Sequence, residues 1–291
     1  MEQCLDKKIG AHFTSMMGGN CLTPDVIAAF QGVIYQHYRQ HARQFPWRMT
    51  DNPYHILVSE MMLQQTQTDR VLEKYEPFLR AFPDFPSLAK APLKEVLKVW
   101  QGLGYNRRAL ALKKIAQRVE AEFHGNLPSR VEVLMTFPGI GKTTSSAVVT
   151  FAFNKPTVFI ETNIRRVFIH FFFQNQANIK DSEMLPVVEK MLDASHPRQW
   201  YYALMDYGAM LKNKNENPNR RSAHYRKQAR FQDSNRQIRG MILKALITQS
   251  ALSEAELVQK LKLRHARVKP NLIQLQKEGF IRNRGNRFLI A

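Results

Sequence analysis

Apolar residues recur at helical spacing through most of the chain. Val26, Ile27, Phe30, Val33, Ile34 and Tyr38 mark one face of a first helix that begins at Pro24. Ile56, Leu57, Met61 and Leu63 give an apolar face to a second, predicted to run from Pro53 to about Phe78. Leu93, Val96, Leu97 and Val99-Trp100 predict a third, which stops at Gly102-Leu103-Gly104. Strong strand alternation is absent as far as Lys212, so this part reads as helical throughout.

The pattern changes after Leu211. Lys212–Arg239 holds nine Lys or Arg against Glu216 and Asp233, with Asn213, Asn215, Asn217 and Asn219 interleaved. It has few large apolar residues and reads as a solvated basic connector. Beyond it, Ile238, Ile242, Leu243 and Leu246 predict one helix, and Ser253 with Glu256 forms a capping box that starts another. Val268 to Glu278 predicts a third, ended by Gly279. Phe280-Ile281-Arg282 and Arg287-Phe288-Leu289-Ile290 then flank Asn283-Arg284-Gly285-Asn286 as a hairpin. Three helices and a basic hairpin resemble a winged-helix domain. No internal repeat is visible, and residues 1–22 read as a loose N-terminal arm.

Composition narrows the partner. Of the 291 residues 44% are hydrophobic, ordinary for a globular protein, but Lys plus Arg number 43 against 24 Asp plus Glu, a formal charge of +19. That excess favours a polyanion. Two cysteines, Cys4 and Cys21, exclude a disulfide scaffold and a multi-cysteine metal or iron-sulfur site. No apolar run approaches the roughly 20 residues that span a bilayer. The charged start at Met1–Gly19 predicts no secretory signal. A cytoplasmic, nucleoid-associated, membrane-free protein is the expectation.

Three segments carry candidate chemistry. Phe137-Pro138-Gly139-Ile140-Gly141-Lys142-Thr143-Thr144 offers a tight turn into a helix starting at about Thr143, where backbone N–H groups can bind a phosphate and Lys142 adds charge. Its spacing does not fit an ATP-binding loop. Pro46-Trp47-Arg48 precedes Val58-Ser59-Glu60-Met61-Met62-Leu63-Gln64-Gln65-Thr66, which sets Glu60 among apolar residues. Burial there would raise a carboxyl pKa, the condition for a general acid near neutrality. An exposed or salt-bridged helix glutamate is the plainer alternative. Third, Val158-Phe159-Ile160-Glu161-Thr162-Asn163 delivers a carboxylate to a helix start, where it also serves as a simple dipole partner.

Taken in this order, these segments resemble the helix-hairpin-helix DNA glycosylase superfamily and, within it, the MutY adenine glycosylases. The resemblance covers about Val26 to Leu211 and extends to Leu97–Tyr105 and to Ala203-Leu204-Met205-Asp206-Tyr207-Gly208-Ala209. It implies an all-α core of two helical subdomains with the active-site cleft between them, over residues 23–212. A basic connector (213–234) and a small winged-helix-like domain (235–291) follow. It also implies roles. Glu60 is the general acid that protonates the leaving adenine, and Glu161 stabilises or attacks the sugar cation. Gln65 is the wedge in the gap left by the flipped base. Arg48, Leu63, Thr143 and Asp206 belong to the base pocket. Gly139, Gly141, Lys142 and Thr144 form the phosphate-binding hairpin, with room for a monovalent cation, and Tyr105 and Asn106 touch the opposite strand.

The chemistry asks for two such carboxylates independently, because charge of opposite sign develops on sugar and leaving base. Departures from the family pattern refine the expectation. Glu161 stands where relatives have aspartate, and Thr143 where bifunctional relatives have lysine, so no Schiff base and no lyase step is expected. Asn106 replaces a second tyrosine. The four-cysteine cluster motif and the 8-oxoguanine-recognition domain have no counterpart. The expected partner is double-stranded DNA with a mismatch or lesion, bound by a monomer without cofactor. The leading reading is excision of mispaired adenine, opposite 8-oxoguanine or guanine. A thymine or uracil mismatch glycosylase and a non-catalytic DNA-binding protein stay open.

Overall fold

The structure is a computed structural model that describes residues 22–214, 217–227 and 230–291. The expected N-terminal arm, with Cys4 and Cys21, lies outside the described residues except for Leu22. In chain order the helices are α1 (Pro24–His41), α2 (Pro53–Leu63), α3 (Thr68–Ala81), α4 (Phe85–Lys90), α5 (Leu93–Trp100), α6 (Arg107–Phe123) and α7 (Val131–Leu134). Then come α8 (Lys142–Phe153), α9 (Thr162–Phe172), α10 (Asp181–Met191), α11 (Pro197–Lys214), α12 (Asn235–Thr248), α13 (Glu254–Leu261) and α14 (His265–Lys277). Strands β1 (Leu252–Ser253), β2 (Ile281–Arg284) and β3 (Arg287–Ile290) form an antiparallel sheet in the order β1-β3-β2. The fold is helical, as the periodicity predicts. No described helix is long and apolar enough to cross a membrane.

The chain divides into two compact units. One comprises the chain up to Asp51 with Lys142–Lys227. Its core is aromatic: the Phe30 ring from α1 meets Phe168, Phe171, Phe172 and Trp200 at 5.0–5.8 Å between centroids. Helices α9 and α11 touch backbone to backbone. A Cβ on Gly208 would lie 2.3 Å from the Asn163 carbonyl oxygen, so only glycine fits there. Within this unit one stretch of the expected solvated connector, Asn217 to Ser222, is packed, whereas Ala223 to Lys227 are exposed. Pro218–Arg221 forms a 3-10 turn packed on α9, and Asn219 and Ser222 are buried. The physical reason is that its polar groups find partners on α9. Asn219 Nδ2 donates to Thr162 O at 2.8 Å, and Arg221 donates to the carbonyls of Ile169, Phe173 and Gln174 at the end of that helix.

The other unit joins Asn52–Gly141 to Gln228–Ala291. Trp100 and Phe78 are fully buried at its centre, 5.8 Å apart. Helix α12 packs on α5, and Arg107 and Arg239 both donate to the Glu278 carboxylate, which fastens α14 to the start of α6. These guanidinium hydrogen bonds outweigh burial and hold the Glu278 carboxyl far below the usual range. The Ser253–Glu256 capping box forms as expected. The β2–β3 turn is tighter than expected: Arg284 pairs with Arg287, and Gly285 and Asn286 take φ of 55° and 64°.

Candidate active site

Helix α2 starts where Asn52 accepts from the amides of Tyr54 and His55 and Pro53 supplies a preset φ. It is almost wholly buried, through Tyr54, Ile56, Leu57, Val58, Ser59, Met61 and Met62. Glu60, Leu63 and Gln64 share one face at i, i+3 and i+4 and are half-buried. Glu60 is thus a partly accessible carboxylate set between buried neighbours.

The single helix predicted over Pro53–Phe78 is in fact broken after Leu63. Gln65 adopts φ of 53°, a left-handed backbone that costs a side-chain-bearing residue about 1–2 kcal/mol, and its side chain is exposed. Arg108 supplies the reason. This buried arginine donates through Nη1 to the carbonyls of Met61, Met62 and Gln64 at 3.0, 2.7 and 2.6 Å. Through Nη2 it reaches Thr66 Oγ1 at 2.9 Å and the Leu103 and Gly104 carbonyls at 3.2 and 3.1 Å. A cation at the C-terminus of α2 satisfies carbonyls the helix leaves unpaired. Burial pushes its guanidinium down to about 10. The same side chain therefore fixes the Gln64–Thr66 turn and the Leu103–Tyr105 turn side by side. Sequence reading passed over Arg108, although an arginine directly ahead of Ala109-Leu110-Ala111-Leu112, the second of the Arg107-Arg108 pair, was a signal.

The hairpin turn lies against α2. Gly139 has φ of 75°, and a Cβ there would meet Ala111 Cβ at 3.1 Å and Met61 Cε at 3.4 Å, so the residue must be glycine. Gln64 Nε2 donates to the Gly139 carbonyl at 3.2 Å. Phe137 and Ile140 anchor the turn in the core, while Pro138, Gly139 and Gly141 are exposed. In the other unit, α8 begins at Lys142, one residue earlier than expected. Lys142 and Thr143 are exposed on its first turn, with Thr144 half-buried behind them. A first-turn lysine at a helix N-terminus is an anion-binding arrangement.

Glu161 is the N-cap of α9. Its Oε1 accepts from the Asn163 amide at 2.7 Å and the Ile164 amide at 2.9 Å, and its Oε2 from Asn163 Nδ2 at 3.3 Å. Asn163 is held in turn by Arg166, whose Nη1 donates to Asn163 Oδ1 at 2.8 Å and to the Gly208 carbonyl. Arg166 Nε reaches Asn217 Oδ1 at 3.1 Å. Desolvation of the carboxylate dominates and raises the Glu161 pKa, against the two amide hydrogen bonds and the charges of Arg166 and Arg165. Arg165 is committed to Asp181 at 2.6 and 2.8 Å. Arg166 was not singled out in the sequence, where the Arg-Arg pair beside Ile164, Val167 and Phe168 was the hint, and Asn217 and Asn219 were read there only as part of the connector.

Arg48 and Asp206 bind each other. Arg48 donates through Nη1 and Nη2 to Asp206 at 2.8 and 2.9 Å, and Arg43 adds its amide at 2.9 Å and Nε at 2.6 Å. Four donors fill the acceptor sites of one carboxylate. Burial raises the Asp206 pKa, but Arg48 and then Arg43 more than offset this and hold it below its ordinary value. Arg48 also stacks over Tyr202 at 4.5 Å and Phe45 at 5.1 Å. This cluster pins the Pro46–Arg48 turn to α11.

Tyr105 has φ of 46°, and Asn106 starts α6 without a side-chain cap. The Tyr105 ring lies between two guanidinium groups, Arg108 at 5.5 Å and Arg236 at 4.8 Å. The candidate residues thus fall into two groups. Glu60, Leu63, Gln65, Tyr105, Asn106, Gly139 and Gly141 belong to one unit; Arg48, Lys142, Thr143, Thr144, Glu161 and Asp206 belong to the other.

Residues 58–190 match the family described as HhH-GPD superfamily base excision DNA repair protein. The adenine DNA glycosylase of Buchnera aphidicola subsp. Baizongia pistaciae is 33% identical over 183 residues, 62% of this chain and 52% of that one. The chain thus spans about half the length of that relative. The thymine/uracil-DNA glycosylase of Methanothermobacter thermautotrophicus is 29% identical over 185 residues, 62% of this chain and 84% of that one. Among solved structures, that of a thermostable thymine-DNA glycosylase matches with a TM-score of 0.59 at 27% identity, covering 66% of this chain and 90% of its own.

Proposed function

We propose that the chain is a member of the HhH-GPD superfamily of base excision DNA repair proteins, which its residues 58–190 match, and that it is a monofunctional DNA N-glycosylase whose substrate is a mispaired adenine in duplex DNA. The observation that supports this most is the setting of Glu161: a desolvated carboxylate aimed by two backbone amides and the Asn163–Arg166 pair. Such a group can offset an oxocarbenium charge without reorganising. Glu60 donates a proton to the leaving base as the bond from sugar C1′ to the base nitrogen breaks. The electron pair stays with the base, and water adds to C1′ and yields its proton to the Glu60 carboxylate, which restores the acid. Glu161 stabilises the cation between these events or adds to it transiently.

Gln65, exposed on a strained turn, fits the wedge that fills the gap of an extruded base, a step that costs a few kcal/mol. Leu63 lies on the Glu60 face and borders the base. Arg48 and Asp206 act on the pocket by holding its frame. Gly139, Gly141, Lys142 and Thr144 hold a phosphate, with a monovalent cation at the turn as a further occupant. Thr143 has no amine, so no imine to the sugar forms and no strand cleavage follows. A four-cysteine iron-sulfur cluster does not fit this chain, which has two cysteines in all. The C-terminal elements are read as a winged-helix unit that adds phosphate contacts. The enzyme acts as a monomer in the cytoplasm, at the nucleoid.

A thymine or uracil mismatch substrate is the second reading, favoured by the similarity to the Methanothermobacter enzyme over 84% of its length. Incubation with a panel of single-lesion duplexes, followed by alkaline cleavage at abasic sites, separates the two. Cleavage confined to adenine-containing strands supports the first reading, and cleavage at mismatched thymine or uracil supports the second. Cleavage at none overturns both.

A further inference from the structure

The Tyr105 ring does not end at the core. Arg236, from the first turn of α12, donates to the Tyr105 hydroxyl and lies 4.8 Å over its ring. The same guanidinium lies 5.4 Å from the centre of the Phe231 ring, and Phe231 is 55% exposed. Arg108, Tyr105, Arg236 and Phe231 are thus linked as a ladder of guanidinium–ring contacts. Arg108 also holds the Gln64 carbonyl at 2.6 Å and the Gly104 carbonyl at 3.1 Å, so the ladder starts beside the turn that presents Gln65. It leads to the N-terminal end of α14, where Arg267 donates to the Asp233 carbonyl at 2.5 Å and Arg264 is exposed.

Phe231 is thus a largely exposed phenylalanine held against a cation, in a region with few large apolar side chains. A guanidinium-backed ring is the arrangement that stacks on an unstacked base. Extruding one nucleotide leaves its former partner unpaired, so that it can tip toward a stacking surface close to the wedge. We propose that Phe231 and Arg236 of the C-terminal unit, with Tyr105, form the platform that receives the base opposite the excised one. The appended unit then reads that base and does more than add charge. This rests on the glycosylase reading and on Gln65 as the wedge.

The test uses the full-length protein and a duplex with 2-aminopurine opposite a 2′-fluorinated target nucleotide, which resists hydrolysis, so fluorescence is read without turnover. Wild type and Phe231→Trp should quench the probe on binding. Phe231→Ala and Arg236→Met should leave it bright and bind about 5- to 100-fold more weakly, the range of one lost base–aromatic stack. The preference among opposite bases should shrink by a similar factor. Quenching and affinity of Phe231→Ala equal to wild type would overturn the platform. Release of free base by wild type from an unmodified duplex is scored separately. Its absence sinks the glycosylase reading, whereas its presence with an unchanged Phe231→Ala sinks the platform alone.

Discussion

Replacing Arg108 with methionine tests whether one buried cation shapes the Gln64–Thr66 and Leu103–Tyr105 turns. The substitution keeps most of the side-chain volume and removes six hydrogen bonds, five of them to carbonyls of the α2 end and the Leu103–Gly104 turn. Hydrogen bonds to a charged donor contribute about 1.5–3 kcal/mol each, but they share one desolvated guanidinium and are not additive. Leaving several carbonyls unpaired in the core resembles breaking a buried ion pair, about 3–5 kcal/mol. For a cooperative unit of this size that corresponds to roughly 6–20 °C in melting temperature. Differential scanning calorimetry reads the loss. Single-turnover excision well below the transition should also fall, since Gln65 no longer has a reason to occupy the left-handed region. Arg108→Lys, with three donors on a point charge, should recover part of the stability and little of the excision. A methionine variant within about 1 °C of wild type would refute the reasoning.

The raised pKa of Glu161 has a sign that can be checked. A carboxyl whose folded pKa lies above its ordinary 4.5 costs stability as pH rises through the interval between the two. Glu161→Gln should therefore melt higher than wild type above that interval, with the advantage vanishing as pH falls below 4.5, in thermal scans across pH. Gly208→Ala forces a Cβ onto the Asn163 carbonyl and should cost at least about 1–3 kcal/mol in denaturant titrations, with excision lost beyond the stability effect because Asn163 orients Glu161. Replacing exposed Arg282 and Arg284 by serine should make the log–log salt dependence of duplex affinity shallower by up to about 2 if each neutralises one phosphate.

Much of this was readable from periodicity. The starts of α1 and α13 follow from apolar spacing and cap chemistry, which act locally. What escaped is long-range. Nothing in Gln64-Gln65-Thr66-Gln67 announces a helix break, since the left-handed Gln65 is imposed by Arg108, over forty positions away. Pairing of Arg48 with Asp206 spans 158 positions, so each read alone as a free pocket residue. Asn217, Asn219 and Arg221 looked solvated because composition records polarity but not whether a helix end waits to receive it. Glu161 was found because its role begins with a local feature, an N-cap.

Glu60 and Glu161 are the two carboxyl groups proposed to carry hydrolysis of the N-glycosidic bond. Single-turnover reactions of wild type, Glu60→Gln and Glu161→Ala on adenine-mismatch duplexes, with chromatography for free base and gel analysis of the strand, test this directly. Wild type should release intact adenine and leave an abasic strand that breaks only on alkali treatment. Glu60→Gln should bind with similar affinity and release base at least about 10²- to 10⁴-fold more slowly, and Glu161→Ala should release none. Adenine release by Glu60→Gln at the wild-type rate, or by Glu161→Ala at any comparable rate, would contradict the account.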